Sequence, residues 1–276
     1  MFLVATLIAA ACAIHLVVGH MRVQILSIGY ELLIGRVVNT NASWLSAEAT
    51  RRGHTVERIV CVGDSESWIH SELDYSVKSG AQVIITTGGL GPTFDDITAQ
   101  AVAKALGRNL VLNEAAFAMV AKKYESLGLP LTPERRKMAE LPEGSTPLEN
   151  PVGTAPGFTL MYRGVRIVCL PGVPEEAKGM FLKHADTFLP QEGELFEQSV
   201  RVAGLPESTL APLIAELVRK NPYVYIKSHP KGSEGESLIE VHVYTVSNNP
   251  RVRELCSSVA EKLRAELVKI GGRVVD

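Results

Sequence analysis

Three short apolar segments, each followed by a helical pattern, constrain the fold of this chain more than any other feature. The sequence predicts strands at Val23–Ile28, His54–Cys61 and Ala81–Thr87, and the last is rich in β-branched residues, as in a strand buried on both faces. Such a β-α-β-α-β order favours parallel strands covered by helices. We therefore expect an α/β fold with a mostly parallel sheet and helices on both faces. A hairpin is predicted at Gly157–Tyr162 and Val165–Leu170.

The pattern changes near Pro190, and the two sides of this point predict different domains. Residues 21–190 carry the alternating pattern, whereas residues 191–276 predict a small α+β domain of split β-α-β character. The segment Met1–Val18 is an almost unbroken apolar run that no Lys or Arg precedes. We interpret residues 1–20 as an extension upstream of the true start at Met21, and a membrane anchor or signal segment is the alternative.

Charge balance and cysteine spacing narrow the possible partners. Lys and Arg number 28 and Asp and Glu number 30, so the net charge of −2 offers no basic excess for general nucleic-acid binding. We expect no DNA partner and no stable membrane partner. The four cysteines form no CxxC pair and the histidines show no metal-ligand spacing, which argues against a disulfide framework or zinc site and favours a cytoplasmic location.

The loop after the third strand carries the strongest functional signal. Its sequence, TTGGLGPTFDD, places three glycines directly after a buried parallel strand. Such glycines allow a sharp bend that exposes N–H groups, and a bend followed by a helix N-terminus suits a phosphate. Open α/β sheets bind ligands at this carboxyl edge. The predicted phosphate-binding residues of the loop are Thr87, Gly88, Gly89, Leu90, Gly91, Pro92 and Thr93.

Acidic residues expected at the same sheet edge predict a divalent cation. Asp95 and Asp96 follow the glycines and would repel a phosphate unless a cation lay between them. A helix cap explains one of the two, but not both. Asp64 follows the second strand as a third carboxylate or a simple turn residue, and Glu31 follows the first as a metal ligand, general base or solvated carboxylate. We predict metal ligands at Asp64, Asp95 and Asp96, and catalytic roles for Glu31 and Asp96.

Neighbouring loops supply further candidates. The Pro/Gly-rich loop Asn150–Gly157 could line a pocket, or its composition could reflect turn formation alone. The basic run at Glu134–Lys137 could hold a second phosphate, or it could be a solvated helix face. The additional predicted ligand-binding residues are Gly29, Asn39, Asn41, Arg136, Lys137, Gly153, Thr154, Pro171 and Gly172.

Six motifs together resemble a known family. In this order and spacing, GYELLIGRVVNTNASWL, VGDS, TTGGLGPTFDDIT, RRKMAELPEG, NPVGTAPGF and LPGVPEE resemble the N-terminal molybdopterin-binding-like (MoaB/Mog-type) domain of the CinA (competence/damage-inducible) family. The resemblance runs from about Met21 to Leu189, and residues 198–276 resemble the KH-like domain of that family. It implies a fold of the molybdenum-cofactor-biosynthesis type. It also implies that a pterin or nucleotide pyrophosphate binds with a divalent metal, at positions corresponding to Asp64, Gly88, Gly89, Gly91 and Asp96.

The same resemblance implies an activity and its requirements. It suggests an ADP-ribose pyrophosphatase that uses Mg²⁺, Mn²⁺ or Co²⁺, often with potassium, in a homo-oligomer that is a dimer or alternatively a trimer. Molybdopterin adenylyl transfer and non-catalytic nucleotide binding are the alternatives. Two departures bear on substrate preference, since Tyr30 replaces a usually small or acidic residue and Phe94 replaces a usually polar one. The nicotinamide-mononucleotide deamidase domain of full-length members has no counterpart in these residues, so that activity is not implied.

Overall fold

The computed structural model describes residues 20–231 and 238–275, whose contacts divide into two units. One unit comprises Met21–Thr50 and His54–Gln191, and the other is built mainly on the residues from Glu192 onward. The prediction for the N-terminal extension falls, except for His20, outside the described residues. Within the described ranges, none of the helices has the length and apolar character needed to cross a bilayer.

The first unit contains eight strands and seven helices in the part of the chain that is described. The strands are β1 (Arg22–Ile28), β2 (Thr55–Val62), β3 (Val83–Thr87), β4 (Leu110–Leu112), β5 (Glu140–Pro142), β6 (Thr146–Leu148), β7 (Gly157–Tyr162) and β8 (Val165–Leu170). The helices are α1 (Tyr30–Leu33), α2 (Thr40–Arg51), α3 (Glu66–Lys78), α4 (Thr98–Ala105), α5 (Glu114–Ser126), α6 (Pro133–Lys137) and α7 (Pro174–Phe188).

A six-stranded sheet of order β2-β1-β3-β8-β7-β6 forms the centre of this unit. Strands β2, β1, β3 and β8 are parallel, and β7 and β6 extend the sheet in antiparallel fashion. Ser27 of β1 pairs with Thr87 of β3 and with Cys61 of β2, so the carboxyl ends of these three strands lie side by side. The predicted mostly parallel sheet and the β7–β8 hairpin are confirmed.

Helices cover both faces of the sheet because its central strands are apolar on both sides. One face packs Ile84 and Phe158 into a core with residues of α3, α4 and α5. The other face packs Ile85 with residues of α2 and α7, including Phe181 and Phe188. Each of these five side chains is at most 1% exposed. Such burial on both faces explains the continuous apolar runs of the sequence.

The second unit has the order β-α-β-β-α-β. Its elements are β9 (Leu195–Ala203), α8 (Glu207–Lys220), β10 (Tyr225–Pro230), β11 (Leu238–Val246), α9 (Pro250–Lys269) and β12 (Arg273–Val275). The strands form an antiparallel sheet of order β10-β11-β9-β12, with β9 and β11 at its centre. This arrangement is the expected split β-α-β pattern.

Candidate functional site

The glycine bend after β3 is held tightly between neighbouring elements. Gly88 (φ +107°) and Gly89 (φ +66°) adopt backbone conformations that side-chain-bearing residues rarely adopt. A Cβ on Gly88 would lie 2.1 Å from the Ile28 carbonyl oxygen, and one on Gly89 would lie 2.2 Å from Thr98 Oγ1. The Gly88 N–H donates to the Leu170 carbonyl (3.0 Å), and Thr98 Oγ1 donates to the Gly88 carbonyl (2.9 Å). Glycine is therefore required at both positions by β1 and by the start of α4.

Asp95 and Asp96 do not cap the following helix, contrary to the capping alternative. The helix begins at Thr98, and its N-cap position is Ile97. The Asp96 carboxylate instead accepts hydrogen bonds from the Thr93 N–H (2.8 Å) and the Thr93 hydroxyl (2.5 Å). The same hydroxyl contacts the Asp95 carboxylate, and this hydrogen bond lowers the pKa of Asp95. Both side chains thus fold back toward the bend.

Asp96 lies directly against the third glycine of the bend. A Cβ on Gly91 would be 2.6 Å from Asp96 Oδ2 and 3.1 Å from its carboxyl carbon. The absence of a side chain at Gly91 is what makes room for this carboxylate. Sequence position alone could not show this contact, because it depends on how the Thr93–Asp96 turn closes.

Asp64 is electrostatically linked to two other predicted carboxylates. Its Oδ2 atom accepts a hydrogen bond from the Tyr30 N–H (2.9 Å), which ties the β2 end to the start of α1. Burial raises the pKa of Asp64, the Tyr30 N–H opposes this effect, and the charges of Glu31 and Asp95 raise the pKa further. Glu31 folds over Gly29, whose Cβ would lie 2.4 Å from Glu31 Oε1. The structure therefore brings Glu31, Asp64 and Asp95 to one edge of the sheet.

Among residues 20–231 and 238–275, no group of three or more His, Cys, Asp or Glu side chains is arranged to hold a metal ion. The predicted ligands Asp64, Asp95 and Asp96 consequently do not form a preassembled metal cage. Their roles as ligands stay a prediction.

A recess of about 180 Å³ opens beside the bend. Its lining includes Gly89, Gly91, Asp96, Lys137 and Glu140. Lys137 Nζ donates to the Thr93 carbonyl (2.7 Å), so α6 is anchored to the loop that carries the aspartates. The recess combines glycine backbone groups, the carboxylates of Asp96 and Glu140 and one cationic side chain. This set suits a phosphorylated ligand that binds together with a cation.

The buried side-chain amide of Asn150 organises the Asn150–Gly157 loop. Asn150 is not among the ligand-binding residues predicted from the sequence. Asn150 Oδ1 accepts from the N–H groups of Val152 (3.0 Å) and Gly153 (2.7 Å), and its Nδ2 donates to the Ala155 carbonyl (2.9 Å) and to Glu176 (2.7 Å). An Asn that opens a Pro/Gly loop was the available signal, since its side chain commonly bonds the backbone two residues on.

The remaining predicted ligand residues fall into distinct environments. The Asn39 amide caps α2 through the Ala42 N–H (3.1 Å) and donates to Ser27 Oγ (3.0 Å), so the fold itself uses it. Leu90 is buried in the core, which leaves only its backbone for a ligand. Asn41 Nδ2 donates to the Gly172 carbonyl (2.8 Å), which joins α2 to the loop after β8.

The other predicted ligand-binding residues differ in their exposure to solvent. Gly29, Thr87 and Pro171 are buried, Pro92 and Thr154 are partly exposed, and Arg136 is exposed on α6. Gly172 approaches the bend closely, because its Cβ would lie 3.3 Å from Gly88 Cα. The two residues that depart from the family pattern are exposed beside this edge, Tyr30 by 63% and Phe94 by 93%.

Comparisons with known proteins give a consistent result. A family model described as a probable molybdopterin binding domain matches residues 24–191. A protein of Pyrobaculum calidifontis is 47% identical over 249 residues, which cover 89% of this chain and 95% of that protein. A protein of Aeropyrum pernix is 46% identical over 260 residues, which cover 92% of this chain and 97% of that protein. The crystal structure of the protein CinA, of unknown function, from Thermoplasma acidophilum is similar with a TM-score of 0.58 and 38% identity, and the match covers 61% of this chain and 98% of that one.

Proposed function

Since the chain belongs to the family of the probable molybdopterin binding domain, we propose that it binds a nucleoside diphosphate derivative at the glycine bend and hydrolyses the diphosphate with the help of a divalent cation. The expected substrate class is that of ADP-ribose, as the CinA resemblance implies. A pterin is the alternative ligand.

One observation carries this proposal: several carboxylates converge beside a glycine bend that borders a recess. Asp96 lies against Gly91, and the negative charges of Glu31 and Asp95 contribute to the raised pKa of Asp64. Such repulsion is unfavourable in isolation, and a cation relieves it. Mg²⁺ and similar ions are commonly bound by one or two carboxylates together with substrate phosphate oxygens, so no cage of three protein ligands is needed. The donor set of this edge therefore fits a hard divalent cation.

The residues of the chain have separable roles in this hypothesis. The backbone of Gly89–Gly91 borders the phosphate, and Lys137 Nζ, held at the Thr93 carbonyl, supplies a positive charge beside the same loop. When bound, the divalent cation neutralises developing negative charge and makes a bound water more acidic. Glu31 accepts a proton from the attacking water, and Asp96 or Asp64 holds the cation in place. The attacking oxygen forms the new P–O bond while the bridging P–O bond breaks, which gives AMP and ribose 5-phosphate from ADP-ribose.

The family description favours one second candidate. A molybdopterin-binding domain could use the same bend and cation to transfer an adenylyl group from ATP to a pterin phosphate. The two candidates differ in the acceptor of the adenylyl group, which is water in one and a pterin phosphate in the other; the leaving group is ribose 5-phosphate in the first and pyrophosphate in the second.

The deciding experiment is turnover of ADP-ribose with Mg²⁺, Mn²⁺ or Co²⁺, with and without potassium, beside an assay with ATP and molybdopterin. We expect AMP release that Asp96→Asn reduces by about 10²-fold or more, because a metal carboxylate stabilises the transition state by several kcal/mol. Asp74→Asn is the matched control, since Asp74 lies in an exposed pair with Lys78 on α3. Undiminished turnover in Asp96→Asn would remove that residue from the mechanism. Ligand binding without turnover under every metal would refute the enzymatic proposal.

A further inference from the structure

The sheet of the second unit has two chemically different faces. Alternate residues of β11 point to opposite sides. Ile239, Val241 and Val243 lie in the core with α8 and α9. Glu240 and His242 lie on the other side of the same strand. The residues of β9 and β10 that pair with Glu240 and His242 lie on the same side of the sheet. We name this side the polar sheet face.

Cross-strand pairing arranges aromatic residues on the polar sheet face. Tyr225 of β10 lies opposite Tyr244 of β11, and their ring centroids are 4.7 Å apart. His229 of β10 lies opposite Glu240, and its ring contacts that of His242 edge to face at 5.1 Å. Tyr225 and His229 are exposed, on the outer strand β10. Tyr225 and His229 are four residues apart on β10, and Tyr244 and His242 are two residues apart on β11.

Cationic side chains outnumber acidic ones on this face. The described cations are Arg201, Lys227, Lys231 and Arg273, and the described acids are Glu197 and Glu240. This local excess contrasts with the net charge of −2 for the whole chain. The whole-chain charge argues against a general nucleic-acid binder, but it does not describe this face.

Glu240 fixes several of these cations in place. Its carboxylate contacts Arg201 Nε (3.0 Å), Lys231 Nζ (3.3 Å) and His242 Nε2 (3.3 Å), and it is only 8% exposed. The hydrogen bond from Arg201 and those from Lys231 and His242 lower the pKa of Glu240 to about 2. The negative charge is thus covered, while the cations around it are half exposed.

We propose that the polar sheet face binds single-stranded nucleic acid. Bases stack on the exposed rings of Tyr225 and His229, and phosphates contact Lys227, Arg201 and Arg273. Aromatic side chains that alternate with cations on an open antiparallel sheet provide both contacts that a single strand requires. An acidic peptide would use the cations but would leave the row of rings without a partner.

The test is fluorescence anisotropy of a labelled single-stranded RNA of about 12 nucleotides, with single-stranded DNA of the same sequence and a duplex as further arms. The full chain is used at low salt. We expect both single strands to bind and the duplex to bind more weakly. Tighter binding of RNA than of DNA would indicate contacts to the 2′-hydroxyl groups, and equal binding would indicate stacking and phosphate contacts alone. An excess of ADP-ribose should not displace the strand, because the glycine bend belongs to the other unit.

Variants distinguish the polar sheet face from other surfaces. Tyr225→Ala should weaken binding about fivefold or more, since stacking of one base is worth at least that factor. If this variant does not fold, Tyr225→Leu keeps an apolar neighbour for Tyr244 and removes the ring. Lys227→Glu should weaken binding and reduce the salt slope by about 0.7 for each lost phosphate contact. Lys262→Glu on α9 makes the same charge change elsewhere and should bind like wild type.

Three results would overturn the inference. The first is the absence of binding to either single strand. The second is equal loss of binding in Lys227→Glu and Lys262→Glu, which would indicate a general charge effect. The third is displacement of the strand by an equal concentration of oligoglutamate, which would indicate a site for acidic peptides instead.

Discussion

Replacement of Gly91 by alanine tests whether the position of Asp96 controls the site. The new Cβ would lie 2.6 Å from Asp96 Oδ2, closer than real Cβ contacts, and 3.2 Å from Oδ1, which is tighter than most of them. Gly91 does not lie in the left-handed backbone region that strains other residues, so steric contact with Asp96 is the main obstacle to alanine. The flexible carboxylate is the group that must move, and it must leave its hydrogen bonds with Thr93.

The expected cost to stability is small, and the expected cost to activity is large. Two exposed hydrogen bonds contribute at most about 1–2 kcal/mol to the free energy of unfolding. A displacement of about 1 Å at a reacting group can reduce turnover by about 10²-fold. Gly88→Ala is the informative comparison, because its Cβ would lie 2.1 Å from the Ile28 carbonyl oxygen at a φ of +107°. There the backbone itself must move, and we expect a loss of about 3 kcal/mol or more.

Urea unfolding gives the stability of both variants, and ADP-ribose turnover at saturating Mn²⁺ gives kcat/KM. Calorimetric binding of ADP-ribose provides a second readout of the Gly91 variant. Wild-type kcat/KM and affinity in Gly91→Ala would show that the position of Asp96 is irrelevant to the site. Equal destabilisation by Gly91→Ala and Gly88→Ala would show that the steric argument is wrong.

Two further predictions concern structure beyond the bend. Asn150→Ala should lower the free energy of unfolding by about 2–4 kcal/mol, since it leaves the N–H groups of Val152 and Gly153 without their acceptor; urea unfolding should show a change of at most about 0.5 kcal/mol for the exposed control Asn109→Ala. Glu240 has a pKa lowered from 4.5 to about 2, so its stabilising contribution is complete above about pH 4.5 and is lost as the pH falls toward 2. Thermal unfolding between these pH values should therefore show a smaller loss of Tm in Glu240→Gln than in wild type, and parallel curves would contradict the role of this carboxylate.

The architecture could be predicted because its causes are local. Strands buried on both faces have continuous apolar sequences, and a β-α-β-α-β order leaves few topologies. The glycines of the bend were equally visible, since only glycine fits the backbone conformation and the close approach to Ile28 that the structure shows at Gly88. These features depend on residue type and near neighbours alone.

The start of α4 could not be predicted, because it depends on a contact between residues far apart in the sequence. Two aspartates before an apolar helix are typical of an N-cap, and the local sequence favours a start at Asp95. The side chains instead bond Thr93, and Lys137 holds the Thr93 carbonyl from 44 residues away. Short polar side chains that bond nearby backbone compete with helix formation, and a long-range contact decides the competition here.

The convergence of Glu31, Asp64 and Asp95 could be predicted only in part. Parallel pairing of Ser27 with Cys61 and Thr87 places the three strand ends together, so the shared edge follows from topology. How strongly the carboxylates repel one another depends on loop paths and burial, which no sequence pattern encodes. Burial is the main reason that the pKa of Asp64 is raised, and the charges of Glu31 and Asp95 raise it further. The cation of the proposed function would relieve this repulsion, because a positive charge between carboxylates lowers the cost of keeping each of them ionised.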